Sequence, residues 1–261
     1  MSTSELKLLN SGLSDCVIHP IPLFEFDIDK SLFTYGLNFG QVVRLTTYAW
    51  YISGTEKRIM VDAGGTADTS SAKGFQAREL QTLDFGLSKL GISLADIDLV
   101  ILTHLHYDHV EQACQYPRAR FLVQKDELEF ALNPHPSFAR GYTKEFFNGL
   151  NFEVVNGDTQ VCEEISVLRT PGHTPGGQSV RIKTAQGTAI ISGLCTIRDN
   201  FQPTFLINKS MPVTYPGIRT NTFDAYDSLV RIKKMADIIV PNHDPEFLHV
   251  ETIPCSPYTI A

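Results

Sequence analysis

A chain of 261 residues with 43% hydrophobic and 20% charged residues has an ordinary globular composition, which excludes fibrous and low-complexity classes. Its formal net charge of −7 argues against nucleic acid or an anionic membrane surface as the main partner. No apolar run approaches the ~18 residues of a spanning helix, and Ser and charged residues interrupt the N-terminal stretch, so neither a membrane segment nor a signal peptide is expected.

In chain order, residues 42–52 are dense in Val, Thr, Tyr and Trp and read as a strand. Residues 57–62 read as a second strand, joined to the first through Ser53-Gly54-Thr55 as a hairpin. Leu80, Leu83, Leu87 and Leu90 predict a helix over 75–90, ended by Gly91. Residues 98–103 form a continuous apolar run, the pattern of a strand buried on both faces. A short strand follows at 122–123, then a helix over 125–132 stopped by Asn133-Pro134. Residues 152–155 and 165–169 read as strands, and 179–183 with 188–192 as a hairpin about Gln186-Gly187. A helix over 223–234 and a strand over 238–240 close the pattern. Strands with helices between them suggest two packed sheets with helices outside. No repeat and no linker divides the chain, so one domain over 1–261 is expected.

The five cysteines, Cys16, Cys114, Cys162, Cys195 and Cys255, are scattered and show no Cys-x-x-Cys spacing. Free thiols in a reducing cytoplasm are expected rather than a disulfide framework.

The segment Thr103-His104-Leu105-His106-Tyr107-Asp108-His109 begins where the predicted buried strand ends, the usual place for a functional loop. Neutral imidazole is a standard ligand for zinc and related ions, and carboxylate suits harder ones. On an extended chain His104 and His106 share a side, while Asp108 and His109 can turn toward a second position. One such histidine would read as a solvated loop residue; this cluster does not.

His-x-His-x-Asp-His after an apolar strand resembles the signature of the metallo-β-lactamase superfamily. Val61-Asp62-Ala63-Gly64, the segment from Thr170 through His173 to Gly176, and Val240-Pro241-Asn242-His243-Asp244-Pro245 resemble its other motifs in order and spacing. Within the superfamily, Trp50-Tyr51-Ile52, the stretch Gly172 to Ser179 and the closing His243-Asp244-Pro245 look most similar to N-acyl-homoserine lactonases. The resemblance implies an α/β fold of the metallo-β-lactamase type, an αββα four-layer sandwich with metal positions in a cleft at one edge. It implies that His104, His106 and His173 hold a first metal, and Asp108, His109 and His243 a second. The cofactor would be Zn(2+), one or two ions per chain, with Fe or Mn as alternatives. The implied reaction is attack of metal-activated hydroxide on the carbonyl of a small-molecule ester, a lactone such as an N-acyl-homoserine lactone foremost. Asp108 would hold the second ion or, with one ion, orient the water and shuttle its proton. A glyoxalase-like thioesterase and a catalytically degenerate metal-binding protein are the competing readings, and a homodimer is left open. Di-iron redox relatives carry an acidic residue where Leu105 stands and an added flavin domain; nucleases of the superfamily add a domain and a basic surface.

Two features depart from the family. Two-metal members carry a bridging aspartate in a Gly-Asp pair, whereas this chain reads Gly193-Leu194-Cys195. Three readings stay open: Cys195 supplies a thiolate, as in one group of zinc β-lactamases; the enzyme works with one ion; or the site is degenerate. Lactonases of this type also tend to carry a tyrosine shortly afterwards, where Thr196-Ile197 stand here.

Pocket walls are expected from loops 24–39, 134–147 and 200–215, with Phe33, Tyr35, Phe138, Tyr142, Phe146, Phe201, Phe205 and Tyr215 suited to an apolar acyl or aryl group. A thioesterase acting on an anionic thiol carrier would need a basic pocket, for which Arg140, Lys144, Arg198 and Lys209 are candidates. His19, His135 and His249 match no motif and read as surface or packing residues. Asp62 either orients a ligand histidine or caps a strand end.

Overall fold

The computed structural model describes residues 16–204 and 210–254. Its first sheet holds seven strands in the order β4-β1-β2-β3-β5-β6-β7. These are β1 (Val17–Asp29), β2 (Val42–Ser53), β3 (Ile59–Val61), β4 (Gln76–Glu79), β5 (Leu99–Ile101), β6 (Arg120–Gln124) and β7 (Phe152–Val155). The second sheet runs β12-β11-β10-β9-β8. Its strands are β8 (Thr159–Gln160), β9 (Ile165–Arg169), β10 (Gln178–Thr184), β11 (Gly187–Ile191) and β12 (Ile238–Val240). Both sheets are mixed: β3, β5, β6 and β7 run parallel, as do β11 and β12, and the remaining pairs are antiparallel.

Strands β3 and β5 are apolar throughout and fully buried because both of their faces are covered. Ile59, Val61, Leu99 and Ile101 meet Val167, Val180, Ile182 and Ile191 between the sheets. The residues between them in sequence, Met60 and Val100, face the opposite way and pack with Leu83, Leu87, Val110 and Ala131. Leu83 and Leu87 lie on α2 (Leu83–Ser88), Val110 on α3 (Tyr107–Val110) and Ala131 on α4 (Lys125–Leu132), and Ala67 of α1 (Ala67–Ala72) joins the same cluster. On the other outer face, Leu168 and Ile190 pack with Phe201 of α5 (Arg198–Phe201) and with Ala225, Leu229 and Ile232 of α6 (Thr222–Met235). Helix, sheet, sheet and helix thus form the expected αββα sandwich.

The helix expected over 75–90 is corrected. Residues 76–79 form β4, which pairs with β1 in the register Phe24↔Glu79 to Asp27↔Gln76. Only Leu83 and Leu87 of the leucine series lie in a helix and are fully buried; Thr82 caps it by accepting from the Phe85 amide at 3.2 Å. Leu80 precedes that cap and Leu90 is exposed. The loop expected over 24–39 is likewise shorter, since β1 continues to Asp29. Among the described residues no helix is long and apolar enough to cross a membrane.

Candidate metal centre

Parallel strands that end together deliver their following loops to one edge, and the predicted ligands meet there. His104, His106 and His173 form one group, and Asp108, His109 and His243 another; within each, the ligand atoms lie within 4.8 Å of one another. His104, His106, Asp108 and His109 come from the loop after β5 and the first turn of α3, His173 from the loop after β9, and His243 from the loop after β12. A backbone bond from Gln178 N to the Thr103 carbonyl, 2.9 Å, ties the His173 loop to the His104 loop across the two sheets.

The hydrogen bonds fix how each ring is turned. Thr103 Oγ1 donates its single proton to Asp62 Oδ2 at 2.8 Å, so its contact with His104 Nδ1 at 3.0 Å requires that nitrogen to donate. The lone pair of His104 is then on Nε2, which is buried and has no protein partner. A carbonyl can only accept, so His173 Nδ1 donates to Ile218 O at 2.8 Å and His243 Nδ1 to Thr46 O at 3.2 Å. Each of these rings turns Nε2 inward: His173 Nε2 faces His106 Nδ1 at 3.1 Å, and His243 Nε2 lies 3.9 Å from Asp108 Oδ2. His106 can offer only Nδ1, because Gly141 packs against its other edge; a Cβ there would stand 2.7 Å from Nε2. An orphaned buried lone pair ringed by four more imidazoles fits a divalent cation and little else.

Asp62 settles its own alternatives by doing both jobs. Its backbone takes φ 57° at the end of β3. Its carboxylate accepts from the Thr103 amide at 2.7 Å and from His109 Nδ1 at 2.8 Å, and Asn242 Nδ2 approaches at 3.4 Å. Asn242 in turn accepts from Trp50 Nε1 at 3.2 Å.

Burial, followed by mutual repulsion among the imidazoles, holds His104 and His106 well below the ordinary histidine range. Burial alone is the chief cause for His173, at about 4, and His243, at about 3. His109 is the exception. Burial opposes its charge, but Asp108 at 3.4 Å and Asp62 hold it up to about 10. Asp108 stays ionised against its burial through His109 and the neighbouring rings. Without a metal, the second group therefore keeps a proton where a cation would sit.

Cys195 is buried at the cavity wall and belongs to neither ligand group. Burial, then the charge of Asp108, pushes its thiol well up. Leu194 points the other way, into the outer apolar cluster with Phe201 and Leu229. Cys195 is therefore what this segment presents to the site.

Above the ligands lies a cavity of about 240 Å³. Phe33 and Phe138 line it as expected, as do Phe26 and Ile28 of the expected 24–39 wall, with Phe75 and Ile218, which sequence reasoning missed. Tyr142 packs its ring against His106 with centroids 4.7 Å apart. Tyr35 and Tyr215 stack on each other at 5.3 Å, while Phe146 and Phe201 pack into the core. Phe205 and Lys209 lie outside the described residues. Of the basic candidates Arg140 lines the cavity, joined by the unpredicted Lys73; Arg198 is paired with Glu246 at 3.1 Å. His19 bonds Ser53 and His135 bonds Ser137, and neither they nor His249 line the cavity.

Sequence reasoning also missed Glu127, in the first turn of α4. Fully buried, it accepts from the amides of Leu105 at 3.0 Å and Gly176 at 3.3 Å and from the Tyr142 hydroxyl at 3.2 Å. It holds the two ligand loops together from behind.

Fold and site together define an αββα protein built to bind metal ions. The chain belongs to the metallo-β-lactamase superfamily, whose sequence profile matches residues 42–243. The N-acyl homoserine lactonase AttM of Rhizobium radiobacter is 28% identical over 172 residues, 61% of this chain and 63% of AttM. The match thus spans less than two thirds of that relative's length. The N-acyl homoserine lactonase of Bacillus thuringiensis is 27% identical over 234 residues, 84% of this chain and 86% of that one. A solved structure of an N-acyl homoserine lactone hydrolase, with the product N-hexanoyl-L-homoserine at its catalytic metal centre, superposes with TM-score 0.73 at 24% identity, covering 95% of this chain and 99% of that one. The dizinc quorum-quenching lactonase AidC superposes with TM-score 0.67 at 18% identity, covering 90% and 89%. At these identities the superpositions establish the fold.

Proposed function

We propose that the protein is a metal-dependent hydrolase of carbonyl esters, with lactones of the N-acyl-homoserine type as the first substrates to test. The observation that carries this reading is the unpartnered, buried Nε2 of His104 among the other donors, at the base of an apolar cavity. His104, His106 and His173 would hold one ion, and Asp108, His109 and His243 a second. This nitrogen-rich donor set suits zinc, with iron and manganese as alternatives. Divalent cations held there would supply an acidified water near neutral pH and polarise a carbonyl oxygen.

The chain's own residues do the rest. Asp108 is the one carboxylate on the described cavity wall; it would orient the attacking water and accept its proton at a carboxylate oxygen. Asp62 keeps His109 turned toward Asp108. Phe26, Phe33 and Phe138 would take an acyl chain and exclude water from the reacting carbonyl. Cys195 would add a thiolate to the second ion, in place of the absent bridging carboxylate. A reducing compartment, the cytoplasm, fits the four described cysteines, none of which forms a disulfide.

The test is metal content per chain together with turnover of N-hexanoyl-homoserine lactone, for wild type, Cys195→Ser and Asp108→Ala. Expected are bound zinc and turnover in wild type, a fall from about two ions to one in Cys195→Ser, and a loss of at least ~10²-fold in Asp108→Ala. One ion in both wild type and Cys195→Ser would remove the thiolate. No bound metal after reconstitution would overturn the hydrolase reading and leave a degenerate site.

A further inference from the structure

Basic residues in this acidic chain are commonly matched by carboxylates. Arg44 pairs with Asp27, Arg78 with Glu25, Arg169 with Asp126 and Arg198 with Glu246. Lys73 and Arg140 differ: both line the cavity, and neither is within ion-pair distance of a carboxylate among the described residues.

They are also neighbours. Lys73 Nζ donates to the Arg140 carbonyl at 2.8 Å and lies 4.8 Å from the centre of the Tyr107 ring. The Arg140 guanidinium lies 5.7 Å from the centre of the Phe75 ring. The acidic groups nearest to Lys73 are committed elsewhere. Glu111 accepts from Thr66 and Thr69, and Asp108 faces His109 and His243. Two adjacent positive charges on the wall of a largely apolar cavity repel each other until an anion joins them. A guanidinium fork beside an ammonium is a receptor for a carboxylate.

We propose that the preferred substrate carries a carboxylate at its non-reacting end, and that Lys73 and Arg140 bind it while the acyl carbonyl lies at the His/Asp cluster. This rests on the hydrolase reading above. It refines that reading: esters, lactones or thioesters whose acyl chain ends in a carboxylate are preferred over neutral ones such as N-hexanoyl-homoserine lactone. Lys73 has a second task, since its bond to the Arg140 carbonyl braces Gly141 against the His106 ring. Arg140, whose side chain makes no such brace, is therefore the residue to vary.

The experiment compares two p-nitrophenyl esters of equal length on the zinc-loaded protein, the hexanoate and the adipate monoester. Wild type should favour the adipate ester at least tenfold in kcat/KM, and Arg140→Gln should bring that ratio close to one, mainly through KM. Lys125→Gln, a surface control on α4, should leave the ratio unchanged. Equal rates in wild type, or an Arg140→Gln variant that keeps the full preference, would overturn the proposal. Calorimetric titration with adipamate and hexanamide reads the same subsite without turnover. Tenfold tighter adipamate binding, lost in Arg140→Gln, would uphold the carboxylate subsite even if no ester were cleaved and the hydrolase reading fell. No difference between the two amides would overturn it.

Discussion

Asp62 Oδ2 and His109 Nδ1 stand 2.8 Å apart with both side chains buried, and the same carboxylate holds the Thr103 amide and hydroxyl. One side chain at the end of β3 therefore sets the orientation of His109 directly and that of His104 through Thr103. Asp62→Ala would leave four buried donors, the Thr103 amide and hydroxyl, His109 Nδ1 and Asn242 Nδ2, without this acceptor. The expected cost is about 3–5 kcal/mol, as for breaking one side of a buried pair. Zinc affinity should fall about 10–100-fold. Denaturant unfolding and chelator competition measure the two effects; unchanged affinity would mean that His109 does not depend on Asp62.

Metal-free protein should show a dome of stability against pH. An unfolded histidine titrates at about 6.5. Folded His173 and His243 are held at about 4 and about 3, chiefly by burial. Between those values the unfolded chain binds more protons, so their contribution is whole above about 6.5 and is lost as pH falls toward 4. His109 has the opposite sign. With its folded value at about 10, its contribution is whole below about 6.5 and is lost as pH rises through about 10. Melting temperature of the chelated protein from pH 4 to 10 tests this, and a flat acid limb would contradict it.

Metal removal should destabilise the fold as well as stop turnover. Ions bound by the native state alone stabilise by about 4 kcal/mol at a free concentration a thousand times Kd. Adding a strong chelator should lower the melting temperature by several degrees, and excess zinc should restore it. A melting temperature indifferent to chelation would show that the ligand loops are set without metal.

Replacing Leu194 with aspartate should not recreate a bridging carboxylate. Leu194 is fully buried in the outer cluster with Phe201, Leu229 and Ile232, so Leu194→Asp would bury an unpaired charge there and destabilise by several kcal/mol. Cys195→Asp places its carboxylate at the cavity instead and should retain the second ion. Metal content per chain of the two variants checks both outcomes.

The ligands were legible because their chemistry is local: four donors within six residues, and two more in motifs with recognisable neighbours. Strands β5 and β12 were legible because covered faces leave continuous apolar runs, whereas β8, two polar residues long, carries no such signal. Glu127 was not, since an acidic residue in a first helical turn looks the same whether it faces water or two loop amides. Lys73 reaches the cavity through its bond to the Arg140 carbonyl, a contact between segments far apart in sequence. The long strand β1 was hidden by Pro20 and Pro22, beside which its pairing with β2 shifts register.

Each ligand group draws on both sheets. The chain passes from one sheet to the other at the turn around Gly157, between β7 and β8. Every donor up to His109 lies before that turn, and His173 and His243 lie after it. Neither half of the chain can close a group alone. Two fragments divided at Gly157 would each hold an incomplete donor set, and zinc would bind tightly only between them, as a rivet. Recovered ion binding would then count reassembled molecules, which makes this turn the natural cut for a split reporter.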